Sequence, residues 1–92
     1  MTVTEAKSRL RGGATLIDVR SRGEWNGGHA REARHIPLDA LESKLSSLPK
    51  STPVVAICAS GMRSASAARI LAANGYEAST VRGGMAAWNR GA

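Results

Sequence analysis

The hydrophobic positions at the start of the chain have a helical period. Val3, Ala6 and Leu10 lie on one helical face, and the glycine pair 12–13 follows where helices commonly end. The first predicted element is therefore a short amphipathic helix.

Two later runs are apolar on both faces, as in the buried strands of a parallel sheet. Residues 15–19 form the first run, with Asp18 as a polar member near its carboxyl end. Residues 53–57 form the second run, which leads directly into Cys58. A further strand is predicted at about residues 78–81.

The segments between the first strands are irregular or helical. Residues 20–35 are polar and contain several glycines, so we expect at most one helical turn, at about residues 23–26. Residues 35–38 predict a brief extended piece. Asp39 is then a candidate N-cap for a leucine-bearing helix that ends at Pro49.

The carboxyl-terminal part predicts two more helices. Residues 63–74 are rich in alanine, and Leu71 faces inward. The glycine pair 83–84 precedes a terminal helix that holds Trp88. Helices that alternate with strands, without hairpin signals, predict an α/β fold. We expect residues 1–92 to form a single domain with a mainly parallel sheet of four or five strands and helices on both faces.

Composition and charge narrow the classes of function. The chain is 42% hydrophobic but only 3% aromatic, which predicts a core of small aliphatic side chains. Its net charge is +6, yet the basic residues are scattered and no aromatic residues are interleaved for base stacking. We therefore expect small anions as partners and no nucleic acid. Because no apolar run has the length of a signal peptide or a membrane span, we expect a cytoplasmic protein without a membrane partner.

The single cysteine, Cys58, excludes an internal disulfide and a metal cluster built of cysteines alone. It begins a loop that connects a strand to a helix and continues with Ala59, Ser60, Gly61, Met62, Arg63 and Ser64. Backbone N–H groups in such a short loop can turn toward one point, next to the positive end of the helix. Donors of this kind lower a thiol pKa and favour the nucleophilic thiolate. The pattern thus favours a catalytic cysteine over a small buried hydrophobe.

Individual loop residues have predicted roles. Gly61 permits the tight turn, Arg63 can bind an oxyanion through two hydrogen bonds, and Ser64 can cap the helix or offer its hydroxyl. Asp18 can pair with Arg20 or with Arg63 and so support the loop, or it can bond to neighbouring backbone in a turn.

Two residues of the polar segment complete the candidate site. Glu24 can orient Arg63 through an ion pair, although surface pairs of this kind usually contribute little energy. His29 is a possible acid or base, but we favour a structural role because a histidine that follows a glycine more often bonds to backbone.

At these residues the chain resembles the rhodanese family. The matching segments, in the family's order and spacing, are residues 16–20 (Leu-Ile-Asp-Val-Arg), 24–25 (Glu-Trp), 28–29 (Gly-His), 36–38 (Ile-Pro-Leu), 58–64 and 83–88 (Gly-Gly-Met-Ala-Ala-Trp). The resemblance implies a rhodanese-like fold and a sulfurtransferase activity. Cys58 would take the outer sulfur of a small anionic donor such as thiosulfate and hold it as a persulfide. The sulfur would then pass to cyanide, to a small thiol or to a thiol protein, and neither a metal nor an organic cofactor is implied.

Two alternatives stay open at this point. One is a non-catalytic rhodanese-like module that carries sulfur or docks a partner, and the other is a cysteine phosphatase or arsenate reductase of the same fold. Four residues separate Cys58 from Arg63, one fewer than in the phosphatases, and this shorter ring suits a persulfide better than a phosphoryl group.

The chain also departs from the family pattern. After Gly28 and His29, members commonly continue Ile-Pro-Gly-Ala, whereas this chain has Ala-Arg-Glu-Ala at 30–33, with His35 where a small polar residue is usual. We expect an altered turn there. Ala59 stands where many relatives that use thiosulfate have arginine, so we expect thiosulfate to be a poor donor.

Overall fold

The computed structural model describes residues 1–90 as five helices around a sheet of four strands. In chain order the elements are α1 (Val3–Arg11), β1 (Thr15–Asp18), α2 (Arg22–Asn26), β2 (Ala33–His35), α3 (Leu41–Lys44), β3 (Val54–Ile57), α4 (Met62–Ala73), β4 (Ala78–Thr80) and α5 (Gly84–Asn89). All neighbouring strands are parallel, in the order β2-β1-β3-β4. The predicted α/β fold with a parallel sheet is confirmed.

Strand β3 separates two apolar cores. Val54 and Ala56 belong to one core, with side chains of α3 and α4. Val55 and Ile57 belong to the other core, with side chains of α1 and α5. All four strand residues are fully buried, which explains why the sequence of this strand is apolar without alternation. The helices therefore cover both faces of the sheet, as predicted.

Local hydrogen bonds set the limits of the first helix. The Thr2 hydroxyl accepts the Glu5 N–H at 3.1 Å, and the Glu5 carboxylate accepts the Thr2 N–H at 2.9 Å. This capping box begins α1, and Gly12 ends it. The longest of the described helices, α4, has 12 residues, and no helix within residues 1–90 is long and apolar enough to cross a membrane.

The segment between β2 and α3 differs from the prediction. The edge strand is Ala33–His35 rather than residues 35–38, because these residues pair in register with β1. Asp39 is not an N-cap: it lies inside a 3₁₀ turn, Leu38–Ala40, which follows Pro37 and has no side-chain cap. The rigid ring of Pro37 starts this turn before the α-helix begins.

The helix predicted to end at Pro49 is likewise interrupted. It is α-helical only over α3 and continues as a second 3₁₀ turn, Leu45–Ser47. The Tyr76 hydroxyl lies 2.7 Å from the carbonyl oxygens of both Leu45 and Leu48 and can donate to either. This long-range contact holds the second turn against the connection between α4 and β4.

The carboxyl ends of β1 and β3 lie side by side. Asp18 is in register with Ile57, and the Val19 N–H donates to the Ile57 carbonyl at 3.0 Å. The residues that follow, Val19 and Cys58, therefore leave the sheet as neighbours. This edge is where ligands of parallel α/β folds commonly bind.

Candidate active site

The Cys58 sulfur is surrounded by hydrogen-bonding groups of its own loop. The N–H groups of Gly61 and Ser64 donate to Sγ at 3.0 and 3.4 Å. The Ser64 hydroxyl oxygen lies 3.5 Å from Sγ, where it accepts from the thiol and can turn to donate to the thiolate. The side chain is only 1% exposed and also belongs to the core between the sheet and α4. The thiol is thus buried, yet the loop amides point at it.

Backbone conformation explains this arrangement. Gly61 has φ +127°, a value that other residues rarely adopt, while a Cβ at this position would meet no atom within 4 Å. Conformation rather than space therefore requires glycine here. The turn at Gly61 leads directly into α4, and Ser64 lies in its first turn, where helical N–H groups lack internal partners. The predicted role of Ser64 as a helix cap is wrong, since Gly61 is the N-cap and no side chain caps α4.

Two opposing effects determine the pKa of Cys58. Burial raises it, but hydrogen bonds from the Ser64 side chain and from the amides of Ser64, Gly61 and Ser60 outweigh burial and lower it below its ordinary value. The thiolate is therefore populated at lower pH than in a free cysteine. It is the form that attacks electrophilic sulfur.

The start of α5 supports the loop from the other side. The Met85 N–H donates to the Cys58 carbonyl at 2.8 Å. A Cβ at Gly84 would lie 2.5 Å from the Ala59 carbonyl oxygen and closer still to that of Cys58. Gly84 also has φ +55°. Glycine is therefore needed at position 84 for close approach to the loop.

Arg63 points toward α2. Its two terminal nitrogens donate to the Glu24 carboxylate at 2.6 and 2.9 Å. The bond from Arg63, together with bonds from Ser21, lowers the pKa of Glu24 to about 2, and Glu24 in turn raises the pKa of Arg63. Glu24 does contact Arg63 as predicted. Each of the two nitrogens expected to bind an oxyanion therefore already donates one hydrogen bond to Glu24.

Helix α2 is held in place by aromatic stacking that the sequence analysis missed. Trp25 stacks on His29 with ring centroids 3.5 Å apart and on His35 with centroids 4.7 Å apart. His29 Nδ1 lies 2.9 Å from the Trp25 carbonyl oxygen, and His35 Nε2 lies 2.8 Å from that of Arg20. The four-residue spacing of Trp25 and His29 could have predicted the first of these stacks. His35 lies on β2, and its position along the chain does not predict the second.

Asp18 and Arg20 form a buried ion pair with each other. Arg20 Nη2 donates to the Asp18 carboxylate at 2.8 Å and to the Gly28 carbonyl at the same distance. Asp18 also accepts the Arg20 backbone N–H at 3.0 Å. Of the two predicted partners Asp18 takes Arg20, and the pair fixes the segment around Gly28 rather than bonding to the Cys58 loop.

The other loop residues surround the mouth of the site. Ala59 is half-buried, and Ser60 and Met62 are exposed, Met62 to 84%. Among the residues that the structure describes, no cluster of His, Cys, Asp and Glu is arranged to hold a metal ion.

A pocket of about 380 Å³ opens beside the loop. Its lining comes from three separate segments of the chain: Val19, Ser21, Pro37, Leu38, Asp39 and Arg63. Apart from Arg63, none of these residues had a predicted binding role.

Comparison with known proteins gives consistent matches. The family model of the rhodanese-like domain matches residues 2–91. The uncharacterized protein YqhL of Bacillus subtilis (strain 168) is 40% identical over 76 residues, which is 82% of this chain and 60% of that relative's length. The crystal structure of a rhodanese-like domain protein from Staphylococcus aureus is 37% identical with a TM-score of 0.87, covering 96% of this chain and 88% of that one. The human single-domain sulfurtransferase TSTD1 is 29% identical with a TM-score of 0.83, covering 98% and 94%.

Removing the Ser64 hydroxyl should raise the pKa of Cys58 and so lower the fraction of thiolate. In Ser64→Ala we expect the rate of Cys58 alkylation by iodoacetamide near neutral pH to fall roughly tenfold, as for loss of one hydrogen bond to a charged group. The rate is to be measured against pH. Because folding lowers the pKa of Cys58, the alkylation rate of the wild type should rise at lower pH than that of the urea-unfolded chain. The rise for Ser64→Ala should lie between the two. Coincident wild-type and unfolded profiles would contradict this account.

Adding a methyl group at Gly84 should displace the loop. We expect Gly84→Ala to lower the free energy of unfolding by about 1–3 kcal/mol, from backbone strain and overpacking, and to slow Cys58 alkylation. Urea denaturation measures the first effect. Gly23→Ala is the matched control, because a Cβ there meets no atom within 4 Å. Equal stabilities of the two variants would show that position 84 does not require glycine.

Proposed function

The chain belongs to the rhodanese family, and from this premise we propose that it is a sulfurtransferase that carries sulfur as a persulfide on Cys58. One observation carries the proposal: the amides of Gly61 and Ser64 converge on the sulfur of the chain's single cysteine. They favour an ionised sulfur in a site that would otherwise disfavour charge. The human relative is a single-domain sulfurtransferase, which supports the same activity.

In the first half-reaction the Cys58 thiolate attacks the outer sulfur of a donor such as thiosulfate. A new S–S bond forms on Cys58, and the S–S bond of thiosulfate breaks. Sulfite leaves with the electron pair, so no oxidant or reductant is needed. The loop amides hold negative charge on the attacking sulfur and on the persulfide that results.

In the second half-reaction a nucleophile takes the outer sulfur. Since Cys58 is the chain's only cysteine, no second thiol of the chain can resolve the persulfide, and the acceptor must come from outside. Cyanide serves in an assay, and a small thiol or a thiol protein serves as the physiological class. The chain's own residues supply the nucleophile and the donors, with no cofactor.

The ion pair of Arg63 favours sulfur transfer over phosphoryl transfer. A phosphatase would use an unpaired guanidinium to bind the phosphoryl oxygens, but the charge of Arg63 is paired with the Glu24 carboxylate. We further propose that residues 1–92 act as one domain and that the protein works in a reducing compartment such as the cytoplasm. A reducing compartment keeps the unpaired thiol available.

The proposal predicts a covalent product. Incubation with thiosulfate should add the mass of one sulfur atom to the intact protein, and added cyanide should remove it. Cys58→Ser should gain no mass, because its hydroxyl is a poor nucleophile for sulfane sulfur. Intact-mass spectrometry measures both steps. Cys58-dependent hydrolysis of an aryl phosphate without any gain of sulfur would contradict the proposal in favour of a phosphatase.

A chain that loads no sulfur from any donor would instead indicate a docking module. In that case Cys58→Ser should leave the function unchanged. To separate a poor donor from an inactive site, the loading step should be repeated with an organic persulfide in place of thiosulfate.

A further inference from the structure

The pocket beside the loop lies on the same face of the sheet as the nucleophile. Val19, which lines it, follows Asp18, and Asp18 pairs in register with Ile57, the residue before Cys58. The side chains of Val19 and Cys58 belong to the same apolar core. Cys58 itself is buried and does not line the pocket, but Arg63 of its loop does, so a molecule in the pocket lies against the loop that surrounds the sulfur.

Three apolar side chains form most of the pocket wall. They are Val19, Pro37 and Leu38, and the Leu38 N–H donates to the Val19 carbonyl at 3.1 Å, which fixes the two segments together. The pocket volume of about 380 Å³ is far larger than an anion of a few atoms. It falls within the roughly 300–1,000 Å³ typical of sites for small organic molecules.

The charges at the pocket do not favour an anion. Arg63 is the only cation among the lining residues, and Glu24 binds both of its terminal nitrogens. Asp39 adds an exposed carboxylate at the rim, and Ala59 contributes no charge to the loop. An uncharged, apolar molecule matches these walls better than thiosulfate does.

We infer that this pocket binds the carbon chain of a small uncharged organic thiol, which is the acceptor of the Cys58 sulfur. The inference rests on the proposed function and names the class of its second substrate.

The acceptor thiol loses its proton to solvent, and its sulfur attacks the outer sulfur of the persulfide. One S–S bond forms on the acceptor, the S–S bond on Cys58 breaks, and Cys58 leaves as the thiolate. Leu38, in the pocket wall, is the residue that determines specificity for the acceptor thiol.

Discharge of the loaded protein by straight-chain thiols tests the inference. Protein loaded with thiosulfate is freed of donor and mixed with methane-, ethane-, propane- or butanethiol, and loss of one sulfur is followed by intact mass. We expect the second-order rate constant to rise by up to about fourfold per methylene until the pocket is full, as for burial of one CH₂ group. The anionic thiol 2-mercaptoethanesulfonate should react more slowly than the uncharged 2-mercaptoethanol.

Substitutions at two half-buried leucines test whether the wall of this pocket causes the dependence on chain length. Leu38→Asn makes the wall polar and should abolish the rise with chain length, whereas Leu38→Met should retain it. Leu45→Asn is the matched control, because Leu45 packs against the same core as Leu38 but does not line the pocket. The control should keep the wild-type dependence on chain length.

A second series separates the pocket from the sulfurtransferase activity. Alkyl methanethiosulfonates transfer an alkylthio group to a thiolate and release methanesulfinate, so they react with Cys58 without any persulfide. Their rates should rise with chain length in the wild type but not in Leu38→Asn. Rates that are independent of chain length, or equally dependent in Leu38→Asn, overturn the inference. If the rates of this series rise with chain length while no donor loads sulfur onto Cys58, the pocket binds carbon chains as inferred and the proposed function is wrong.

Discussion

The two backbone hydrogen bonds to the Cys58 sulfur are the interaction on which the rest of the account depends. A charged sulfur taken into an apolar core costs several kcal/mol. A hydrogen bond to a charged group returns roughly 1.5–3 kcal/mol, so two or three such bonds are needed to offset the cost. The amides of Gly61 and Ser64, with the Ser64 hydroxyl beside them, supply that number. Without them the same buried cysteine would be an inert part of the core.

The loop holds this geometry because three elements fix it. The left-handed turn at Gly61 leads into α4, and the N–H of Met85 at the start of α5 binds the Cys58 carbonyl. On the open side, Glu24 holds Arg63. The last contact also pairs the charge of Arg63, which lines the adjoining pocket, with a carboxylate. One ion pair therefore affects both the position of the loop and the charge of the adjoining pocket.

The sequence was informative where structure is decided locally. The two buried strands follow from unbroken apolar runs, and the turn after Cys58 follows from a glycine between a strand and a helix. The edge strand Ala33–His35 was misplaced because none of its residues is fully buried, so it has no apolar pattern. Asp39 was misassigned because a 3₁₀ turn after Pro37 precedes the helix. The pocket and the stacking of His35 on Trp25 join separate elements, and spacing along the chain does not predict such contacts.

The central claim is that the loop amides respond to the charge on Cys58, and their nuclear magnetic resonance signals test it most directly. In a pH titration of the ¹⁵N-labelled protein, the amide signals of Gly61 and Ser64 should shift together, with one apparent pKa below that of an ordinary cysteine. In Cys58→Ser the same signals should not titrate over that range. Signals of the wild-type protein that stay unchanged while the thiol ionises would contradict the account.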